Sequence, residues 1–206
     1  LSCLVILLCV SVLPINSVNA TELDKPILQG SWASIGRSYL VSKVKTIAVD
    51  PKNIDIVYLG TSGEGVFKST DCGETFEPIN NNLSESYINA VIIDPNDSSV
   101  IYAATGTGIF KSSNGGKSWE EKDLGMERLE VLSLAFDPTN SQTIYAGVYN
   151  ETSVGGIFRS TDGGNNWENI GLQSEQVNSI AITSGEKSFL YAGTGSGFFR
   201  SIDGGT

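Results

Sequence analysis

Three observations in the 206-residue sequence predict an all-β fold, a β-propeller of four-stranded antiparallel blades. First, one polar turn recurs in register: FKSTDCGETF (67–76), FKSSNGGKSW (110–119), FRSTDGGNNW (158–167) and FRSIDGGT (199–206). Second, the serines that open these turns, Ser69, Ser112, Ser160 and Ser201, stand 43, 48 and 41 residues apart, the period of one blade. Third, the apolar residues between turns come in short β-branched and aromatic blocks bounded by Pro, Asn, Asp or Gly. No stretch of helical length shows a 3.6-residue period.

In chain order, residues 1–20 stand apart. LSCLVILLCVSVL is an uncharged apolar run too short for a comfortable membrane span, and Val18 and Ala20 sit where a signal peptidase reads. Residues 1–20 are read as a secretory signal peptide cleaved after Ala20, with its basic n-region missing before Leu1. The alternative is an uncleaved anchor helix. Cleavage implies a secreted or periplasmic protein with no membrane span. Neither Cys3 nor Cys9 sits in a good lipoprotein box. Cys72 is then the one cysteine left, so an internal disulfide is excluded. It takes a turn slot filled elsewhere by Gly115, Gly163 and Gly204, and no histidine exists to activate it.

The segment 21–43 contains LQGSWASIG (28–36), which matches GNNWENIG (164–171) with Trp32 on Trp167 and Trp119. Residues 30–36 read as the last strand of a blade with no strands before it. Such an N-terminal strand would close the ring on a last blade that is not in this chain. Residues 44–206 then form three full blades, at 44–80, 87–123 and 129–171, and a fourth from 177 truncated at the C-terminus. A ring of six or seven blades needs roughly 260 to 310 residues. The chain is thus expected to be a fragment truncated at both ends. An open arc would expose a bare blade face and an unpaired edge, so the chain alone is expected to be unstable or to aggregate.

The second repeat shows the grammar, with strands A to D at YINAVIID (87–94), SVIYAAT (99–105), GIFKSS (108–113) and SWEEKD (118–123). Strands A and B read as nearly continuous apolar runs, as strands covered on both faces do. Asp-Pro ends strand A at Asp50-Pro51, Asp94-Pro95 and Asp137-Pro138, because Pro cannot donate to the ladder and restricts the residue before it. The strand B tyrosines, Tyr58, Tyr102, Tyr145 and Tyr191, are each followed by a small residue: Gly60, Ala104, Gly147 and Gly193. In the C–D turn, Asp71, Asp162 and Asp203 (Asn114 in copy two) can accept from backbone N–H groups just ahead. Gly73, Gly116, Gly164 and Gly205 supply positive φ. Phe76, Trp119 and Trp167 then bury apolar area between hairpins.

The turn resembles the Asp-box, or BNR repeat, S-x-D-x-G-x-T-W, found in sialidases, sortilin-type receptors, xyloglucan-active glycosidases and photosystem II assembly-factor-like propellers. The resemblance covers residues 44–206 and is nearest the sortilin and assembly-factor-like repeat proteins. It departs at Cys72 and Asn114. In those families the box is a folding element away from the active face. The resemblance therefore implies a structural role for Ser69, Asp71, Gly73, Phe76, Ser112, Asn114, Gly116, Trp119, Ser160, Asp162, Gly164, Trp167, Ser201, Asp203 and Gly205.

Composition narrows function. With 23 acidic and 13 basic residues the net charge is −10, which disfavours nucleic acid and anionic membranes. The absence of histidine removes Ser-His-Asp and Cys-His catalysis and His-ligated zinc. No metal or cofactor is expected, because the turns lack the clustered oxygens that calcium requires. Antiparallel connectivity puts the A–B and C–D turns on one face and the B–C and D–A loops on the other. The candidate binding face is the second one, with Glu64 and Glu151 on B–C loops and Glu85, Tyr87, Glu127, Arg128 and Glu175 on D–A loops. Its reading is a site for a protein or polysaccharide partner, set against an ordinary solvated surface. No catalytic residue is assigned. Lys68, Lys111, Arg159 and Arg200 share one slot after Phe and read as repeat grammar, so a sialidase arginine triad cannot be assembled. The positions that carry an acid in xyloglucan-type enzymes are Ser62, Gly106 and Gly195 here. The alternative reading is an extracellular glycoside hydrolase whose paired carboxylates lie largely outside these blades, or on Glu64 and Glu151. The N-x-[ST] sites at Asn82, Asn96 and Asn150 predict surface loops.

Overall fold

The computed structural model describes residues 42–123, 125–126, 128–149, 155–183 and 189–205. The proposed leader, the segment at 30–36, Glu127, Asn150 and Glu151 lie outside the described residues. The described chain is all β, and four antiparallel sheets succeed one another as the blades of a propeller. Blade 1 is β1 (Val44–Val49), β2 (Val57–Thr61), β3 (Val66–Ser69) and β4 (Glu77–Pro78). Blade 2 is β5 (Ile88–Asp94), β6 (Asp97–Thr105), β7 (Ile109–Ser112) and β8 (Glu120–Glu121). Blade 3 is β9 (Glu130–Asp137), β10 (Asn140–Tyr149), β11 (Gly156–Ser160) and β12 (Glu168–Gly171). Blade 4 is β13 (Val177–Ile182), β14 (Leu190–Thr194) and β15 (Phe198–Ser201). In each, sequence order is spatial order, so every connection is a hairpin.

The first strands of consecutive blades pack on one another, β1 on β5, β5 on β9 and β9 on β13, so strand A lines the centre and strand D the rim. Strand D is shorter than its sequence suggested. In β8 only Glu120 and Glu121 pair, with Lys111 and Phe110. The reason is Trp119, which turns out of the ladder and donates its indole N–H to Ile79 O of blade 1 at 2.6 Å.

The core lies between blades, as three clusters. Tyr58 and Val66 of blade 1 meet Ile88, Val91, Ile101, Phe110 and Trp119 of blade 2. Tyr102 and Ile109 of blade 2 meet Val131, Leu134, Ile144, Phe158 and Trp167 of blade 3. Tyr145 and Ile157 of blade 3 meet Val177, Leu190 and Ala192 of blade 4. The small residue after each tyrosine permits this approach. A Cβ on Gly60 would stand 2.5 Å from Thr46 Cγ2 and 2.6 Å from Ile88 Cγ2.

Candidate functional site

Backbone hydrogen bonds divide the propeller into two rims. On one, the C–D turns reach the A–B turns: Cys72 N–H donates to Asp55 O (3.0 Å), Gly115 N–H to Ser99 O (2.9 Å) and Gly163 N–H to Gln142 O (2.9 Å). On the other, the B–C loops join the D–A loops. Gly63 and Gly65 N–H both donate to Ser86 O (3.0 and 2.9 Å), Gly155 N–H to Gln173 O (3.1 Å) and Gly195 N–H to Gln176 O (3.2 Å).

On the turn rim each serine closes its own loop. Ser69, Ser112, Ser160 and Ser201 Oγ donate to Asp71, Asn114, Asp162 and Asp203 Oδ1 at 2.7, 2.9, 2.8 and 2.5 Å. The same oxygens accept from Gly73, Gly116, Gly164 and Gly205 N–H at 2.8 to 2.9 Å. Asp71, Asn114 and Asp162 Oδ1 also accept from the N–H of Thr75, Ser118 and Asn166. The second carboxylate oxygens take Thr75 Oγ1–H and Asn166 Nδ2–H. Desolvation pushes the Asp71 carboxyl up, but the hydrogen bonds from Thr75 and Ser69 outweigh it and hold the group below its ordinary value. At Asp162 the Asn166 amide bond is the largest influence, and it too holds the carboxyl low. These acids spend both oxygens on their own turns. Among the described residues no group of three or more Cys, Asp or Glu is arranged to hold a metal ion. Cys72 adopts φ 61° in the slot where Gly115, Gly163 and Gly204 take 72°, 69° and 70°. Trp119 and Trp167 are buried, but Phe76 is only half-buried, because it packs on the side of blade 1 that faces away from blade 2.

The loop rim carries the predicted binding residues. Ser62 and Tyr87 pair as a single antiparallel bridge, which brings Glu64, Glu85 and Tyr87 together where blades 1 and 2 meet. Tyr87 is 59% exposed, a large aromatic presented to solvent by paired backbone. Glu64 is fixed through its main chain, its N–H donating to Thr61 Oγ1 (3.1 Å) and its O accepting from Asn80 Nδ2 (2.9 Å). Arg128 is exposed, at φ 63°, between blades 2 and 3. Glu175 stands between blades 3 and 4 and accepts Ser196 Oγ–H at 2.5 Å. Among the described residues the rim thus has three stations, one at each blade junction.

Two features escaped sequence reasoning. An inner polar arc links the first strands of blades 1, 2 and 3: Lys45 Nζ donates to Asn89 Oδ1 (2.9 Å), and Asn89 Nδ2 donates to Val131 O (3.0 Å) and Glu130 Oε1 (3.4 Å). These residues open β1, β5 and β9, so their recurrence just after each D–A loop was the available signal. The cation after the strand C phenylalanine is also more than grammar. Lys68 Nζ donates to Gly115 O and Lys111 Nζ to Gly163 O, both at 3.1 Å, and each lies about 5 Å over a tyrosine ring of its own blade. Desolvation lowers both lysines. Tyr102 O–H donates to that same Gly163 O at 2.8 Å. Burial pushes the Tyr58 phenol up to about 12, and the nearby Asp50 adds to the shift.

The family model described as Sortilin-Vps10 (sortilin, neurotensin receptor 3) matches residues 64–187. Among solved structures, an ancestral GH74 enzyme is 24% identical over 90% of this chain and 25% of its own, with a TM-score of 0.66. A GH74 enzyme of Niastella koreensis is 26% identical over 77% of this chain and 28% of its own, at 0.64. YCF48 bound to D1 peptide is 17% identical over 79% of this chain and 52% of its own, at 0.57. The chain therefore spans about a quarter of the GH74 enzymes and about half of YCF48. A search of curated proteins found no match.

Proposed function

The chain belongs to the sortilin (Vps10) family, and from that premise we propose that it is a secreted, non-enzymatic propeller that binds a protein or polysaccharide partner on its loop rim. The observation that carries this reading is the loop rim itself. The Ser62–Tyr87 bridge presents an exposed Tyr87 beside half-buried Glu64 and Glu85, and Lys45, Asn89 and Glu130 form a polar arc across the first three blades, while the turn carboxylates are consumed by their own turns. A rim rich in carboxylates with an exposed tyrosine suits a basic or polar ligand, since aromatics and complementary charge anchor small interfaces. The leader-like residues 1–20 support secretion. Among the described residues no helix is long and apolar enough to cross a membrane. YCF48, a structural neighbour, is described with a bound peptide.

The second reading, an extracellular glycoside hydrolase, rests on the likeness to GH74 enzymes. It requires two opposed carboxylates flanking the scissile bond.

The test is binding of the full chain to immobilised basic peptides and to xyloglucan oligosaccharides, with reducing-end release measured in parallel. Binding to either class, weakened at least tenfold by Tyr87→Ala or Glu64→Lys and unchanged by Asp162→Asn, is the expected result. Reducing-end release would replace this reading with the hydrolase. Binding that survives both loop substitutions would remove the loop rim as the site.

A further inference from the structure

The motifs at Asn82, Asn96 and Asn150 read alike in sequence. Asn150 lies outside the described residues, and the structure separates the other two. Asn96 sits in the turn between β5 and β6, and its whole motif is engaged. Its N–H donates to Asp94 Oδ1 (2.8 Å), and its carbonyl accepts from Lys52 Nζ (2.6 Å). Its Nδ2 reaches Ser141 Oγ of blade 3 at 3.4 Å. The hydroxyl of the motif, Ser98 Oγ, donates to the buried Asp50 of blade 1 at 2.7 Å. A sugar on this amide would stand in the way of the link to blade 3.

Asn82 ends a run of three asparagines in the loop between blades 1 and 2, and the run divides by role. Asn80 Oδ1 accepts Val66 N–H (2.8 Å), and its Nδ2 donates to Glu64 O (2.9 Å). Asn81 Nδ2 donates to Lys117 O (3.2 Å), and its carbonyl accepts Trp119 N–H (3.0 Å). Leu83 N–H returns to Asn80 O at 3.0 Å, closing a turn with Asn82 third in it at φ 62°. Asparagine tolerates that left-handed backbone, so turn chemistry accounts for the residue type. It does not account for the side chain. Asn82 and Ser84 are both exposed, and neither side chain has a hydrogen-bond partner among the described residues. Leu83 between them packs on the core shared by blades 1 and 2. The loop is thus anchored on either side of an amide and a hydroxyl that the fold does not use.

We propose that Asn82 is the acceptor of an N-linked glycan. The proposal rests on the reading that the chain is exported. The donor is an oligosaccharide carried on a polyprenyl diphosphate. The Asn82 amide nitrogen bonds to the anomeric carbon, and the bond from that carbon to the diphosphate oxygen breaks with its electron pair. The amide proton passes to a base of the transferase, and the lipid diphosphate leaves. The Ser84 hydroxyl, two residues on, is the group by which the transferase recognises the acceptor. A bulky, solubilising glycan is compatible with this surface loop.

The test is transfer in vitro to the folded full chain. The reagents are a purified single-subunit oligosaccharyltransferase that needs no acidic residue before the motif and its lipid-linked donor. Occupancy is read by peptide mass spectrometry, and an acceptor peptide shows that the enzyme is active. Occupancy of Asn82 at least tenfold above that of Asn96 is expected. Asn82→Asp, which keeps a residue suited to the turn, and Ser84→Ala, at an exposed position, should each abolish it, with circular dichroism unchanged. On the urea-unfolded chain the difference between Asn82 and Asn96 should shrink. No transfer to Asn82 in the folded chain, transfer that survives Ser84→Ala, or equal occupancy of Asn96 would each overturn the proposal. The reaction needs no export, so fractionation of the producing cells tests the secreted reading separately.

Discussion

Blade 2 and blade 1 carry the same strand A pattern and meet opposite fates. Val91 and Ile93 are 4% and 8% exposed, while Ile47 and Val49, at the same positions, are 65% and 51% exposed. Blade 3 and blade 4 differ likewise on their other faces, at Ile157 and Phe198. The repeats are alike in sequence, so burial here is set by the neighbour and not by the blade. A blade supplies half of each interface, and its stability comes in nearest-neighbour increments, as in other repeat arrays.

The strongest way to break the comparison is to truncate the paired positions. Ile93→Ala should cost about 2–4 kcal/mol, whereas Val49→Ala should cost less than ~0.5 kcal/mol, because only the first leaves a cavity. Urea denaturation at concentrations that keep the chain monomeric measures both. Equal losses would mean that blade 1 is covered in solution.

A smaller effect is expected at the indole links. Trp167→Phe removes the donor to Lys122 O and should cost about 1–3 kcal/mol. The reverse change, Phe76→Trp, should gain almost nothing, since Phe76 lies on the side of blade 1 without a described neighbour. A large gain would reveal an acceptor on that side.

The turn glycines sharpen the contrast among copies. Gly115→Ala should cost about 1 kcal/mol, since φ 72° is strained for any residue with a Cβ. Cys72→Gly should gain up to about 1 kcal/mol from the same strain, less the contribution of the Cys72 Sγ–H donation to Asp55 Oδ1 at 3.0 Å. Thermal melts of the two variants should move in opposite directions.

The smallest effect is acid sensitivity. The native carboxyls of Asp71 and Asp162 are held below their ordinary value of 3.8, so the stability they add is fully present above that pH. It is lost as pH falls through the depressed native values. Turn two, with Asn114, contributes no such dependence. Asp162→Asn should therefore flatten the acid limb of stability against pH, and an unchanged limb would show that the turn is not titrating as part of the fold.

Most of the fold was legible because its determinants are local and repeated. The serine, aspartate and glycine of each turn satisfy one another within five residues, so their spacing alone announces the hairpin. The Asp-Pro ends were read through proline, yet the aspartate also acts: Asp50, Asp94 and Asp137 Oδ1 each accept the N–H two residues on at 2.8 Å. The loop rim was legible as a set of residues but not as an arrangement. Nothing in the spacing of Ser62 and Tyr87 says that they pair, and nothing in Lys45 says that it reaches Asn89 across 44 residues.

By itself, then, the sequence determined the all-β class, the blade period, the strand order and the opposition of turn rim to loop rim. Each follows from short-range propensity and antiparallel connectivity. Tertiary structure alone decided which copies of a repeated residue are buried, which lysine pins which carbonyl, and which loop residues stand together. Those outcomes depend on the neighbouring blade, and identical repeats carry no mark of whether they have one.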